Sequence, residues 1–368
     1  MAERGLVVSA PGKVILHGEH AVVHGKAALA VALGLRTFLC LRPGGEGRLR
    51  VRLPGVGVLR SWEQPGLSAL RERLGGEGGE GGPGGAQKLL EALKEFAGIP
   101  AEASGPDSLA ILAFLYMCLA ISAKYGDVPS MDIVVWSELP TGAGLGSSAA
   151  YAVCLAAALL HACWIFFLPS RWTEEEMTLI NSWAFQGERR AALRGARNCP
   201  APAGWGGFLR VALGPASSLL TSRLSASQFP AIMNPVLDSI DAISQECQSV
   251  LEAMPANPSP EHYPVLEELF DINQHHLNVI GVGHPSLDRL CRVTASHGLH
   301  SKLTGAGGGG CGITLLRPGQ CPSAVEAAKR DLCACGFECW ETDIGAPGVT
   351  LHSSSSLKAQ VLHELSES

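Results

Sequence analysis

The chain carries no excess of basic residues: 28 Lys and Arg face 34 Asp and Glu, for a formal net charge of −6. Without a basic footprint there is little to hold a nucleic-acid backbone, so an anionic substrate must be caught by local donors. No secretory signal pattern opens the sequence, and the 12 cysteines are therefore expected as reduced thiols in the cytoplasm. Cys333, Cys335 and Cys339, even with Cys321 added, do not follow a standard zinc spacing. His275 and His276 are adjacent, and adjacent helical residues point apart, which argues against a shared metal. The C-terminal Leu-Ser-Glu-Ser is not the peroxisomal S-K-L signal; cytoplasm is the expected location, with peroxisomal association left open. No internal repeat is evident. What remains is 46% hydrophobic and 17% charged over 368 residues, enough for two globular domains.

Long apolar runs are few. Ala149–Leu168 has only Tyr151 and His161 as polar-tipped residues and reaches the length of about 20 residues that a membrane span needs. It starts directly at a glycine-rich loop, however, and its alanines suit a helix packed closely in a core. A buried helix is the reading, with no membrane span. Leu109–Ser122 reads as a second core helix.

That glycine-rich loop is the densest signal in the chain. Pro140, Thr141, Gly142, Ala143, Gly144, Leu145, Gly146, Ser147 and Ser148 follow the alternating, β-branched stretch Asp132–Ser137 and lead into the alanine-rich run. The order is strand, loop, helix. The glycines let the backbone approach a ligand. Ser147 and Ser148 fall at the helix start, where unpaired N–H groups and the positive dipole end favour a phosphate. A P-loop would need a lysine after these glycines, and there is none. A second run, Gly305, Ala306, Gly307 and on to Gly310, matches G-x-G-x-x-G in form. It leads into the strand-like Cys311–Leu316 where a dinucleotide fingerprint should open a helix, so that reading fails.

A third segment lies near the N-terminus. Leu6–Val23 holds two apolar runs around Ala10-Pro-Gly-Lys13, where Pro11 and Gly12 are expected to break the strand and set Lys13 at a bend. A lysine there can stabilise charge in a phosphoryl transfer. Glu19 and His20 can orient a small polar substrate by hydrogen bonding.

These three segments, with Trp183–Arg189 reading WAFQGER, together resemble the GHMP kinases, and their wording is most similar to that of the animal mevalonate kinases. The resemblance runs over most of the chain. It implies an α+β GHMP kinase fold with two domains, residues 1–220 and 221–368, and the active site in the cleft between them. It implies transfer of the ATP γ-phosphoryl group to the 5-hydroxyl of mevalonate in isoprenoid and sterol biosynthesis, with Mg²⁺, and a cytoplasmic homodimer. By the resemblance, residues 140–148 wrap the ATP phosphates, Ser148 and Glu188 bind Mg²⁺, and Lys13 sits beside the reacting hydroxyl. Glu19, His20, Thr304, Gly305, Ala306 and Gly307 fall on the substrate side.

At one place the chain departs from the pattern. The family carries an aspartate 11 residues after the glutamate of FQGER, usually assigned as the base for the substrate hydroxyl; here Cys199 stands at that position. No aspartate occurs between Asp132 and Asp238. A strand and a helix that the family places after residue 220 also have no counterpart. Three readings follow: a faulty or alternatively spliced gene model, a nucleotide-binding chain without turnover, or a kinase that works from Lys13 and Mg²⁺ alone. A thiol with its pKa near ~8.5 replaces a carboxylate poorly.

Along the rest of the chain, Gly75–Gly85 reads as a flexible low-complexity insertion. Ser239–Met254, Tyr263–His276, Ser286–Ala295 and Ser323–Cys335 carry helical spacing, and a final strand is expected near Val349–His352.

Overall fold

The computed structural model describes residues 5–45, 47–76, 85–127, 129–140, 143–163, 172–191, 208–212, 229–255, 259–305 and 307–366. Most of the Gly-rich insertion, the departure around Cys199 and the shortened stretch after residue 212 lie outside the described residues.

The strands are β1 (Leu6–His17), β2 (Ala27–Pro43), β3 (Arg48–Leu53), β4 (Val58–Glu63), β5 (Met131–Ser137), β6 (Phe208–Ala212), β7 (His300–Thr304), β8 (Cys311–Leu315) and β9 (Thr350–His352). Seven of them form one mixed sheet in the order β4-β3-β5-β2-β1-β9, with β6 also pairing β2. Strand β2 is long enough to meet β6 along Ala27–Val31 and β5 along Thr37–Pro43. The hairpin β7–β8 stands apart from this sheet.

The helices are α1 (Gln64–Gly76), α2 (Gly85–Ala97), α3 (Pro106–Tyr125), α4 (Ser147–Ala162), α5 (Glu174–Ala191), α6 (Pro230–Ala253), α7 (His262–Val279), α8 (Pro285–Ser296), α9 (Pro322–Ala334) and α10 (Ala359–Ser366). Period-two alternation decides which meets which side of the sheet. Val8, Ala10, Leu39, Ile133 and Val135 enter the main core with α3, α4 and α5. Their neighbours Val7, Phe38, Cys40 and Val134 face the other way, against Val361 and Leu365 of α10. A separate core joins Leu237 and Ile240 of α6, Leu277 of α7, Leu287 of α8 and Leu303 of β7.

Both apolar runs are buried helices where they are described. By length and composition α3 qualifies as a membrane span, yet Phe114, Leu115, Met117 and Ile121 sit inside the core. Helix α4 ends at Ala162, and its alanines bring it so close to the sheet that the Cys154 thiol reaches the Thr37 carbonyl at 3.3 Å.

The expected strand break at Pro11–Gly12 is absent. Strand β1 runs without interruption from Leu6 to His17 and takes up the disturbance as a register irregularity between Pro11 and Lys13. A bulge of this kind re-aims a side chain without ending the pairing. Position 12 is crowded: a Cβ there would lie 2.9 Å from the Leu145 backbone carbonyl oxygen and 2.4 Å from Leu139 Cδ2.

Candidate active site

The bulge in β1 is docked on the first glycine loop. The Lys13 amide donates to the Leu145 carbonyl at 2.9 Å, and a Cβ added at Gly305 would lie 3.9 Å from the Gly144 carbonyl oxygen. Thr304 Oγ1 donates to the Ile15 carbonyl at 2.9 Å. Segments near residues 13, 145 and 305 thus converge on one spot. Thr141, Gly142 and Ala306 lie outside the described residues, as does Cys199.

Gly144 and Gly146 both hold φ of +78°, which L side chains resist, and Gly146 caps α4. Ser147 and Ser148 are then the first two residues of a 16-residue helix. The leading N–H groups of a helix have no intrahelical acceptor and sit at its positive end, an arrangement suited to an anion.

Ser148 Oγ donates to Glu188 Oε1 at 2.7 Å. The preceding residue explains how Glu188 gets there. A Cβ on Gly187 would lie 2.5 Å from Met117 Sδ, so glycine lets α5 press onto α3 and turn Glu188 toward the start of α4. Ser148 is exposed and Glu188 half-buried. A hydroxyl and a carboxylate within reach of solvent are hard oxygen donors of the kind Mg²⁺ accepts in small number beside phosphates and water.

The sequence reading sets Glu19 on the substrate; the structure places its carboxylate inside the protein. Glu19 and Lys302 are both essentially without solvent exposure, at 1% and 0%, and pair at 2.5 Å. Asn273 Nδ2 lies 3.4 Å from the other Glu19 oxygen and 3.1 Å from His17 Nδ1. Burial pushes the Glu19 carboxyl up and the Lys302 ammonium down, each opposed by the other's charge. Thr304, expected beside the substrate, is also buried and spends its hydroxyl on Ile15. His20 keeps a half-buried position with a φ of +61°, unique among the described non-glycine residues.

No sequence pattern marks Lys302, Asn273 and His17 as partners; the adjacent His275 and His276 are the more conspicuous pair. In α7, Asn273 and Gln274 form the buried face, while His275 is exposed and His276 contacts Ser239 at 2.8 Å.

Residues 111–201 match the family described as GHMP kinases N terminal domain, and residues 250–336 match GHMP kinases C terminal. The chain is 54% identical to the mevalonate kinase of Bos taurus, with 98% of each chain covered, and 52% identical to that of Homo sapiens, with 99% of each covered. Among solved structures, it is similar in fold to L. major mevalonate kinase in complex with R-mevalonate, at a TM-score of 0.61 and 19% identity over 92% of this chain and 95% of that one. A Lactococcus lactis galactokinase complexed with galactose has the same fold, at a TM-score of 0.57 and 15% identity over 95% of both chains. With more than half of its residues in common with animal relatives and both GHMP kinase domains matched, the chain belongs to the mevalonate kinase family of the GHMP kinases.

Proposed function

We propose that the chain moves the γ-phosphoryl group of ATP to the 5-hydroxyl of mevalonate, giving 5-phosphomevalonate for isoprenoid and sterol synthesis. The observation that carries this reading is the meeting of Lys13, Ser148 and Glu188 at the start of α4, from three distant parts of the chain. The loop 140–148 cradles the ATP phosphates with backbone donors. Ser148 and Glu188 would hold Mg²⁺, which when bound neutralises charge on the β- and γ-phosphates. Lys13 stabilises charge on the transferred group. His20, Thr304, Gly305 and Gly307 shape the mevalonate side, with Glu19 acting from behind through its buried pair. Positioning and charge neutralisation then supply most of the acceleration, and a base adds a smaller factor to it. A cytoplasmic homodimer completes the proposal.

Cys199 favours a second reading, a chain that binds nucleotide without turnover. The test is mevalonate-dependent ADP release by the purified chain beside a Cys199→Asp variant. A positioned base is worth about 10²- to 10⁴-fold, so slow turnover rising by that factor in the variant is expected. Release from the variant alone would establish the second reading. Release from neither, in protein that binds ATP, would overturn the kinase reading.

A further inference from the structure

We propose that Lys302, which has no exposure to solvent, is a positioning residue for the alcohol substrate. Through its ion pair with Glu19 it holds the strained backbone of His20, and through β7 it holds the approach to the second glycine-rich loop, which starts at Gly305. The proposal rests on the kinase reading above.

The strain is the starting observation. His20 has φ +61° and ψ −39°. An L residue stays in such a conformation only where its surroundings over-determine it, and residues of this kind gather at functional sites. Both flanks of His20 are fixed. Gly18, at φ +92°, is so tightly set that a Cβ would lie 2.3 Å from the Ala27 carbonyl. Ala21, on the other side, is fully buried in the core with Leu237, Ile240 and Leu303. Between Gly18 and His20 stands Glu19, and its carboxylate is the anchor: Lys302 Nζ on one oxygen, Asn273 Nδ2 near the other. The Glu19 carbonyl also accepts from the Ala21 amide at 2.7 Å, which closes the turn around His20.

Lys302 has a second tie. Its ammonium donates to the Leu303 carbonyl at 2.7 Å, and the Leu303 amide donates to Gln274 Oε1 at 2.7 Å. The next residue, Thr304, bonds Ile15, and Gly305 begins the loop. One buried cation therefore joins α7, β7 and the corner after β1, and from the latter two the chain leads directly to Gly305 and to His20. The Phe270 ring packs 5.9 Å from the ammonium and completes the enclosure.

Stability alone does not account for such a pair. Burying two charges carries a desolvation penalty, and well-packed apolar residues of similar volume commonly do as well or better. What apolar residues lack is direction. A carboxylate held by a fixed ammonium sets the rotation of the Glu19 backbone, and with it the aim of the adjacent His20.

The deciding variant is the double substitution Glu19→Met with Lys302→Met, which removes both charges and keeps the volume. Calorimetric titration would measure Mg²⁺ with a non-hydrolysable ATP analogue, and separately mevalonate, alongside a thermal melt. A cooperative melt, nucleotide affinity within about twofold, and mevalonate affinity weakened about 10- to 100-fold are expected, the scale of a misplacement of about 1 Å. Unchanged mevalonate affinity would reduce the pair to packing and overturn the proposal. Parallel loss of both ligands would do the same, by making it general scaffold. If the unsubstituted chain binds nucleotide but no mevalonate, the kinase reading itself fails and takes this inference with it. Should the double variant show no cooperative melt, Glu19→Gln and Glu19→Met decide, because a buried lysine can shed its proton. The amide keeps an acceptor for Lys302 and is expected to hold mevalonate within about threefold, while the thioether loses it by about tenfold; equal affinities in the two would overturn the assignment.

Discussion

Lys13 and Gly146 share one volume: a Cβ added at position 146 would stand 2.8 Å from Lys13 Cγ and 3.3 Å from the Lys13 amide nitrogen. The glycine therefore has two duties, to allow a φ of +78° at the cap of α4 and to leave room for the lysine beside the phosphate loop. Gly146→Ala violates both. A backbone strain of about 1–3 kcal/mol is expected from the dihedral alone. The displaced Lys13 should also weaken nucleotide affinity and lower any turnover by at least about tenfold. Urea unfolding and ATP-analogue titration check the two parts separately, and a variant with ordinary nucleotide affinity would show that the loop tolerates the crowding.

Ser148→Ala and Glu188→Gln act on the ion rather than on the fold. Both side chains reach solvent, so each substitution is expected to change stability by no more than about 1 kcal/mol. Outer-shell changes already cost about 10- to 100-fold in metal affinity, and loss of a direct ligand should cost at least as much. The measurement is the Mg²⁺ concentration at half-maximal ATP-analogue binding. A midpoint that stays in place in both variants would remove these residues from the metal site.

How legible these residues are in the sequence depends on the range of the interactions that place them. The strand–loop–helix unit at 131–162 is local: alternation, glycines and an alanine-rich run lie in one window, and the structure follows them closely. The pairing of Ser148 with Glu188 spans 40 residues and is invisible to periodicity; only the resemblance joins them. The ion pair of Glu19 with Lys302 spans 283 residues, and nothing in His300-Ser-Lys-Leu-Thr304 marks its lysine as buried rather than edge-exposed. Pro11 and Gly12 show the opposite case. Breaker chemistry points to a stop, but β2 on one side and the Leu145 carbonyl on the other hold the strand together through a bulge.

His17 makes stability depend on pH in a definite direction. It is buried against Phe270, with ring centroids 5.4 Å apart, and burial, aided by the Lys302 charge, holds its pKa well below the ordinary value. The folded protein thus keeps His17 neutral where the unfolded chain takes up a proton, from about pH 6.5 downward. The unfolded state binds more protons in that window, so stability falls as pH drops below about 6.5, with a slope approaching about 1.4 kcal/mol per pH unit from this residue. His17→Gln removes the titration and leaves an acceptor for Asn273. Urea unfolding at about pH 5.5 and about pH 7.5 should show the wild-type chain losing more stability on acidification than the variant. Equal losses would mean that His17 is not held neutral.

Helix α10 has 8 residues, too short to be stable alone, so its order must come from the face it covers. Leu365, at 2% exposure, and Val361, at 1%, fill the side of the sheet lined by Val7, Phe38, Cys40 and Val134. Arg42 and Arg52 donate to the Leu365 and Glu364 carbonyls at 3.0 and 3.1 Å, satisfying acceptors at the helix end that have no intrahelical donor. Leu365→Ala should therefore cost about 2–5 kcal/mol by loss of buried methyl groups and the cavity left behind. This helix lies on the face of the sheet opposite α4, so nucleotide affinity in the surviving folded fraction should be unchanged. Urea unfolding gives the first quantity and analogue titration well below the melting range gives the second. A loss of affinity without a loss of stability would show that the outer face of the sheet communicates with the phosphate loop.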